Sequence, residues 1–240
     1  MRKALVIGGS NGIGLSIVKN LQGYDKIYIV DRQVPDVQLS DNISYERFDL
    51  RTQDYSIFKK YNDVDSLIIT SGIGRLALFE DVGDSEIEDL FYINTIAVIR
   101  IIKQFYERIN SKQDFFCAIM GSISGLLSSP FFSVYGATKA AVCKFVESVN
   151  VELEKGGSVN RILNVSPGSI KGTSFYKEET NIDLTTPLAL DIIENMYARN
   201  DLFIPQYQEV FKGVLDRYNK DFRKFGLESY EYKKMSERLR

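Results

Sequence analysis

Six short apolar runs, spaced by helix-length segments, constrain this chain more than any other feature. "ALVIGGS", "KIYIVDR", "ISYERFDL", "SLIIT", "FFCAIMGS" and "RILNVS" follow one another along the first two thirds of the sequence. Apart from "ISYERFDL", which alternates apolar with polar residues, they are continuously apolar, as strands buried on both sides would be. Between the first two, "IGLSIVKNLQGY" places apolar residues at helical spacing and stops at Gly23. Further helices are expected around Asp54 to Tyr61, from Ser85 to Glu107, and from Tyr135 to Glu154. Strand alternating with helix predicts the α/β class, a doubly wound parallel sheet in three α/β/α layers. From Thr185 onward the reading is helix, a short strand "LFIP", a helix from Gln206 to Phe225 and a charged, solvated tail. No repeat or linker divides residues 1–240, so one domain is expected. It carries a substrate lid over about 172–198, polar and irregular from Phe175 to Pro187, and a divergent helical part over about 206–240.

Composition narrows the classes. An apolar fraction of 44% in 240 residues supplies one sizeable core, and a net charge of −2 argues against disorder or nucleic-acid binding. No run approaches the ~18 apolar residues of a membrane span. Met1-Arg2-Lys3 leads into a strand, so a soluble, cytoplasmic protein is expected. With no histidine and only Cys117 and Cys143, the usual metal ligand sets are missing and no metal is expected. The acidic run Asp84, Glu86, Glu88 and Asp89 reads as a solvated helix start. Ala137, Ala140, Ala141, Phe145, Val149 and Leu153 give the second long helix a broad apolar surface, and a subunit contact is expected there.

"GGSNGIG", from Gly8 to Gly14, sits between the first strand and the first helix. Glycines there let the chain turn sharply and aim amide groups at a pyrophosphate. Asp31 closes the second strand, where such a fold places an acid on the adenosine ribose hydroxyls. A carboxylate there would repel a 2′-phosphate, which predicts NAD(H) as preferred cofactor. Arg32 beside it leaves NADP(H) admissible.

A chain without histidine needs another proton carrier. In "YGATK", Tyr135 and Lys139 are four apart and share a helix face. A phenol of pKa about 10 is ionised to roughly 0.1% at neutral pH. Bringing it near 7 takes about 4 kcal/mol of preferential phenolate stabilisation, which a neighbouring ammonium and an oxidised nicotinamide are expected to supply.

Together these residues resemble the short-chain dehydrogenase/reductase family in its single-domain form, in detail from Met1 to about Phe175. The resemblance implies a Rossmann fold and an NAD(P)-dependent alcohol–carbonyl oxidoreductase. The glycine turn then brings Gly8, Ser10, Asn11, Gly12, Ile13 and Gly14 to the cofactor, although Ile7 stands where the family has a bracing threonine. Asp49 and Leu50 correspond to its adenine contact. "ITSG", with Ser71 and Gly72, replaces its "NNAG". Asn94 fits the helix-interrupting asparagine that relays protons through a water. Ser122, thirteen residues before Tyr135, fits the catalytic serine, with Ser124 as the alternative. "SPGSIKGT" implies cofactor contacts from Pro167, Gly168, Ile170 and Thr173, the last one place later than usual. Tyr135 exchanges the substrate proton, Ser122 orients the substrate oxygen, and Lys139 tunes Tyr135 and holds the nicotinamide ribose.

The substrate implied is a small alcohol or carbonyl. Phe131, Phe132, Phe175 and Tyr176 are read as either pocket or packing, and Tyr207, Phe211, Tyr218, Phe222 and Phe225 as a packing face. The chain lacks the "VDGG"-like finish of acyl reductases that pack as tetramers, so a homodimer is expected ahead of a homotetramer. Two other readings stay open: an NADP-dependent 3-oxoacyl-type reductase, and a non-catalytic dinucleotide sensor.

Overall fold

The computed structural model describes residues 1–52, 54–173 and 180–235. Its strands are β1 (Lys3–Ile7), β2 (Lys26–Asp31), β3 (Ile43–Arg47), β4 (Ser66–Ile69), β5 (Phe116–Met120), β6 (Ile162–Val165) and β7 (Leu202–Phe203). All pair in parallel, in the order β3-β2-β1-β4-β5-β6-β7. The period of two along β1 divides the core. Leu5 and Ile7 join Leu67, Ile101 and Phe105 on one face, while Ala4 and Val6 join Ile17, Ile68 and Ile192 on the other. Every residue of β4 and β6 is buried, as a sheet covered on both faces demands. Because β1 has β2 on one side and β4 on the other, the strand order reverses there and leaves a crevice beyond the strand ends.

The helices are α1 (Gly12–Asn20), α2 (Asp84–Phe91), α3 (Ala97–Ile109), α4 (Ser133–Lys155), α5 (Ile182–Tyr197), α6 (Lys212–Lys220) and α7 (Phe222–Met235). One five-residue π turn, Tyr92–Ile96, joins α2 to α3. A second, Tyr207–Phe211, leads into α6. The helix expected near Asp54 is a 3₁₀ segment, Ser56–Tyr61. Its buried Phe58 and Tyr61 are three apart, which suits three residues per turn.

Two expectations change. The helix expected from Thr185 is α5, but it begins at Ile182, so the stretch expected to be irregular as far as Pro187 is already helical over its last six residues. Thr185, Leu188, Ala189, Ile192 and Met196 recur at helical spacing and are buried, and Ser16 and Thr185 hydroxyls meet at 2.5 Å between α1 and α5. Residues 174–179 of the lid, with Phe175 and Tyr176, lie outside the described residues. The helix boundary at Phe225 is the second correction. The helix expected to reach Phe225 stops at Lys220, Asp221 turns extended (φ −156°, ψ 90°), and its carboxylate accepts the Lys224 amide at 2.9 Å as α7 begins. α7 then folds against α6, with the Tyr218 and Phe225 rings 5.9 Å apart. Among the described residues no helix is long and apolar enough to cross a membrane.

Candidate active site

The crevice at the strand ends is a cleft of about 1150 Å³. Its floor is the glycine turn. Gly8 has φ +86°, and a Cβ there would come within 2.5 Å of the Ser71 amide nitrogen; one at Gly14 would lie 2.1 Å from the Gly8 oxygen. Only glycine lets α1 start this close to the strand ends. Where the family's bracing threonine is Ile7, Thr70 supplies the hydroxyl from the end of β4, donating to Gly8 O at 3.0 Å and Ile7 O at 3.2 Å. Asn11 caps α1 by accepting from the Gly12 amide at 2.8 Å.

The turn is tied to the acid after β2. Asp31 Oδ2 accepts the Ser10 amide at 3.1 Å and Oδ1 the Gln33 amide at 3.0 Å. Asp31, Arg32, Asp49 and Leu50 line one end of the cleft, with Ile13, Ser71 and Gly72 beside the turn. Asp49 is held below the usual carboxylate range chiefly by the hydrogen bond from Arg51. The Ser10 and Ser71 hydroxyls are buried and have no hydrogen-bond partner. Unpaired donors, a glycine cradle and a helix N-terminus together fit an anionic, acceptor-rich ligand such as a dinucleotide.

Ser122 follows β5 by two residues, in extended backbone. Its hydroxyl accepts the Ser124 amide at 3.1 Å and hydrogen-bonds Tyr135 of α4. Ser124 points its own hydroxyl at Ser129 (3.4 Å), which separates the two serine candidates. Lys139, one turn along α4, is 2% exposed and donates to Met120 O at 2.8 Å, its Nζ 5.8 Å from the centre of the Tyr135 ring. The expected lowering of the phenol is not what the fold does by itself. Burial pushes Tyr135 up to about 12, the Ser122 hydrogen bond opposing, and burial pulls Lys139 down to about 8.

Asn94 lies in the π turn, fully buried. Its Oδ1 accepts the Ile73 amide at 2.9 Å, and its Nδ2 donates to Ile73 O at 2.8 Å and to Thr138 Oγ1 at 3.1 Å. Thr95 donates to Thr138 O at 3.0 Å. These bonds pin the widened turn to α4 and to the strand-end loop. A Cβ on Gly72 would meet Asn94 Oδ1 at 3.3 Å and Lys139 Nζ at 3.4 Å, so the three residues converge. Thr95 and Thr138 went unnoticed in the sequence; Thr138 lies inside "YGATK", but only the packed turn reveals its use.

Pro167, Gly168, Ile170 and Thr173 form the wall after β6. Pro167 O accepts the Ile123 amide at 3.0 Å, and Thr173 donates to Ile170 O at 2.8 Å. The Thr173 methyl is 3.8 Å from a Cβ built on Gly12, so this threonine reaches the glycine turn despite its later spacing. The remaining wall comes from the C-terminal helices. Phe211 and Phe225, expected as packing, line the cleft, as do Val214, Tyr232 and Lys233, which sequence reasoning missed. Phe132 faces the cleft, whereas the Phe131 ring stacks on Tyr230, 4.7 Å between centroids. Among the described residues no cluster of three or more acidic or cysteine side chains could hold a metal ion.

The family model described as short chain dehydrogenase matches residues 2–183. The chain belongs to the short-chain dehydrogenase family. That makes it an oxidoreductase of the short-chain type, and its relatives agree. An uncharacterized oxidoreductase of Saccharomyces cerevisiae is 30% identical over 81% of this chain and 67% of its own. Carbonyl reductase family member 4 of Xenopus laevis is 29% identical over 73% of this chain and 79% of its own. A second yeast oxidoreductase is matched over only 56% of its length. Solved short-chain dehydrogenases share the fold: that of Streptomyces avermitilis at TM-score 0.73 and 18% identity, covering 96% of this chain and 98% of that one. That of Sphingobium yanoikuyae, described in complex with NADPH, gives 0.72 and 20%, covering 93% and 97%.

Proposed function

We propose that this short-chain dehydrogenase interconverts a secondary alcohol and a carbonyl, with NAD(H) preferred and Tyr135 as acid and base. The observation that carries this is the Ser122–Tyr135 hydrogen bond at the cleft wall, with Lys139 one turn behind it. A bound nicotinamide dinucleotide supplies or accepts the hydride. Gly8 to Gly14, Asp31, Asp49, Leu50, Ser71, Gly72, Ile170 and Thr173 would hold it, with Tyr135 and Lys139 at its nicotinamide ribose.

Ser122 aims its hydroxyl at the oxygen of the substrate, a preorganised donor where charge develops. Tyr135, protonated at neutral pH, gives its proton to that oxygen in the reducing direction and takes it in the other. Lys139, already near its own titration point at about 8, replaces that proton. Asn94 holds the turn along which the proton leaves to solvent.

The Asp31 carboxylate at the ribose end supports NAD(H) over NADP(H). Arg32, on the same wall, favours the second reading, an NADP-dependent 3-oxoacyl-type reductase, and solved relatives described with NADP or NADPH keep that reading in view. The exposed Phe91 at the end of α2, Ile96 in the π turn and Val151 on α4 support a homodimer. The deciding experiment is a panel of alcohols and ketones, including sugars, steroids and acyl thioesters, followed at the reduced-nicotinamide absorbance with each dinucleotide. Turnover with NAD(H) is the result expected; dinucleotide binding without any turnover would favour a sensor.

A further inference from the structure

We propose that Lys233 of α7 is a positioning residue that pins the loop between Ser122 and Tyr135, so that the C-terminal helix governs how bulky apolar substrates are held. The proposal rests on the reading above for the reaction, and on geometry alone for the pinning.

Lys233 Nζ donates to Ser129 Oγ at 2.5 Å and to Pro130 O at 2.9 Å. Ser129 Oγ in turn accepts from Ser124 Oγ at 3.4 Å, and the Ser124 amide donates to Ser122 Oγ. A hydrogen-bonded chain thus runs from α7 to the serine that contacts Tyr135. The same ammonium lies 5.5 Å from the Phe132 ring centre, and that ring is 5.0 Å from Tyr135.

The loop needs holding. Phe131 takes a left-handed backbone (φ +64°), a strained conformation for a residue with a Cβ. Two contacts oppose that strain: Phe131 O accepts the Ala77 amide at 2.9 Å, and the ring stacks on Tyr230, one helical turn before Lys233. Burial draws Lys233 down to about 8, so the ammonium sits where water does not fully solvate it, and charge-assisted bonds to the loop offset that cost. Leu76, Leu127, Phe132, Val214, Phe225 and Tyr232 supply apolar wall to the cleft, which Arg217, Glu228 and Ser229 also line. An apolar ring or chain is held there by shape, so its affinity depends on where Phe132 stands.

The test compares Lys233→Met, Lys233→Arg and Ser129→Ala in the full chain by hydrogen exchange over residues 124–132, and by steady-state kinetics with the bulkiest carbonyl of the panel that the wild type reduces. Lys233→Met should speed exchange of that loop about tenfold and raise KM about tenfold, with kcat within threefold and NADH affinity unchanged. Lys233→Arg should restore both. Ser129→Ala should reproduce the loss, and adding Lys233→Met to it should cost little more. Unchanged exchange and KM in Lys233→Met, or equal losses in Lys233→Arg, would overturn the proposal. If the wild type reduces nothing in the panel, the proposed reaction fails while hydrogen exchange still decides the pinning.

Discussion

Lys139 donates to the carbonyl oxygen of Met120 at 2.8 Å from a position only 2% exposed. Its value in the folded chain, about 8, lies below the ordinary 10.5, so folding disfavours the charged form. The cost is fully present below pH 8 and is relieved as pH rises from 8 to 10.5, where the unfolded chain binds the extra proton. A shift of this size corresponds to about 3 kcal/mol. Lys139→Met should therefore be more stable at pH 7 by ~1–3 kcal/mol, a lost hydrogen bond offsetting part of the gain. It should also lose turnover. Urea melts at pH 7 and 9.5 check this: the wild type should gain stability between them relative to the variant. A variant less stable than wild type at pH 7 would count against the assignment.

Tyr135→Phe removes the one hydroxyl that Ser122 orients beside the cleft. Turnover is expected to fall at least ~100-fold, the range set by a positioned acid or base. Dinucleotide affinity, measured by quenching or calorimetry, should stay within about threefold, because Tyr135 adds little to the glycine turn that holds the phosphates. Ordinary turnover by this variant would remove Tyr135 from the mechanism.

Asp31→Ala should shift the kcat/KM ratio of NADPH to NADH upward by about 10- to 100-fold, since a like charge opposite the 2′-phosphate is lost. The carboxylate also holds the Ser10 and Gln33 amides, so stability should drop by about 1–2 kcal/mol. A wild type that already prefers NADPH would refute the cofactor assignment.

Thr70→Val tests the brace beneath the glycine turn. Losing a hydroxyl that donates to both Ile7 O and Gly8 O should cost about 1–2 kcal/mol in thermal or urea unfolding and weaken dinucleotide binding severalfold.

Local chemistry explains why so much was legible. The strands announced themselves because a doubly covered parallel sheet requires continuous apolar runs, and the glycine turn because contacts such as that of Gly14 with Gly8 O leave no room for a Cβ. That Tyr135 and Lys139 share a face followed from the pitch of a single helix. Each of these depends on residues near one another in sequence. The exchange of Ile7 for Thr70 as the source of the bracing hydroxyl did not, since β1 and β4 meet only in the sheet.

The amino-acid order alone was enough for the layered α/β architecture, the glycine turn and the shared helix face of Tyr135 and Lys139, because period, spacing and glycine sterics are local. Tertiary packing decided the rest. It started α5 at Ile182, inside a stretch read as irregular, and it broke the C-terminal helix at Asp221 to form α7, whose Lys233 reaches a loop about a hundred residues earlier. It also set the protonation of the site, since Tyr135 is pushed up and Lys139 down by burial. Burial is a property of everything packed around a group, and no stretch of sequence contains it.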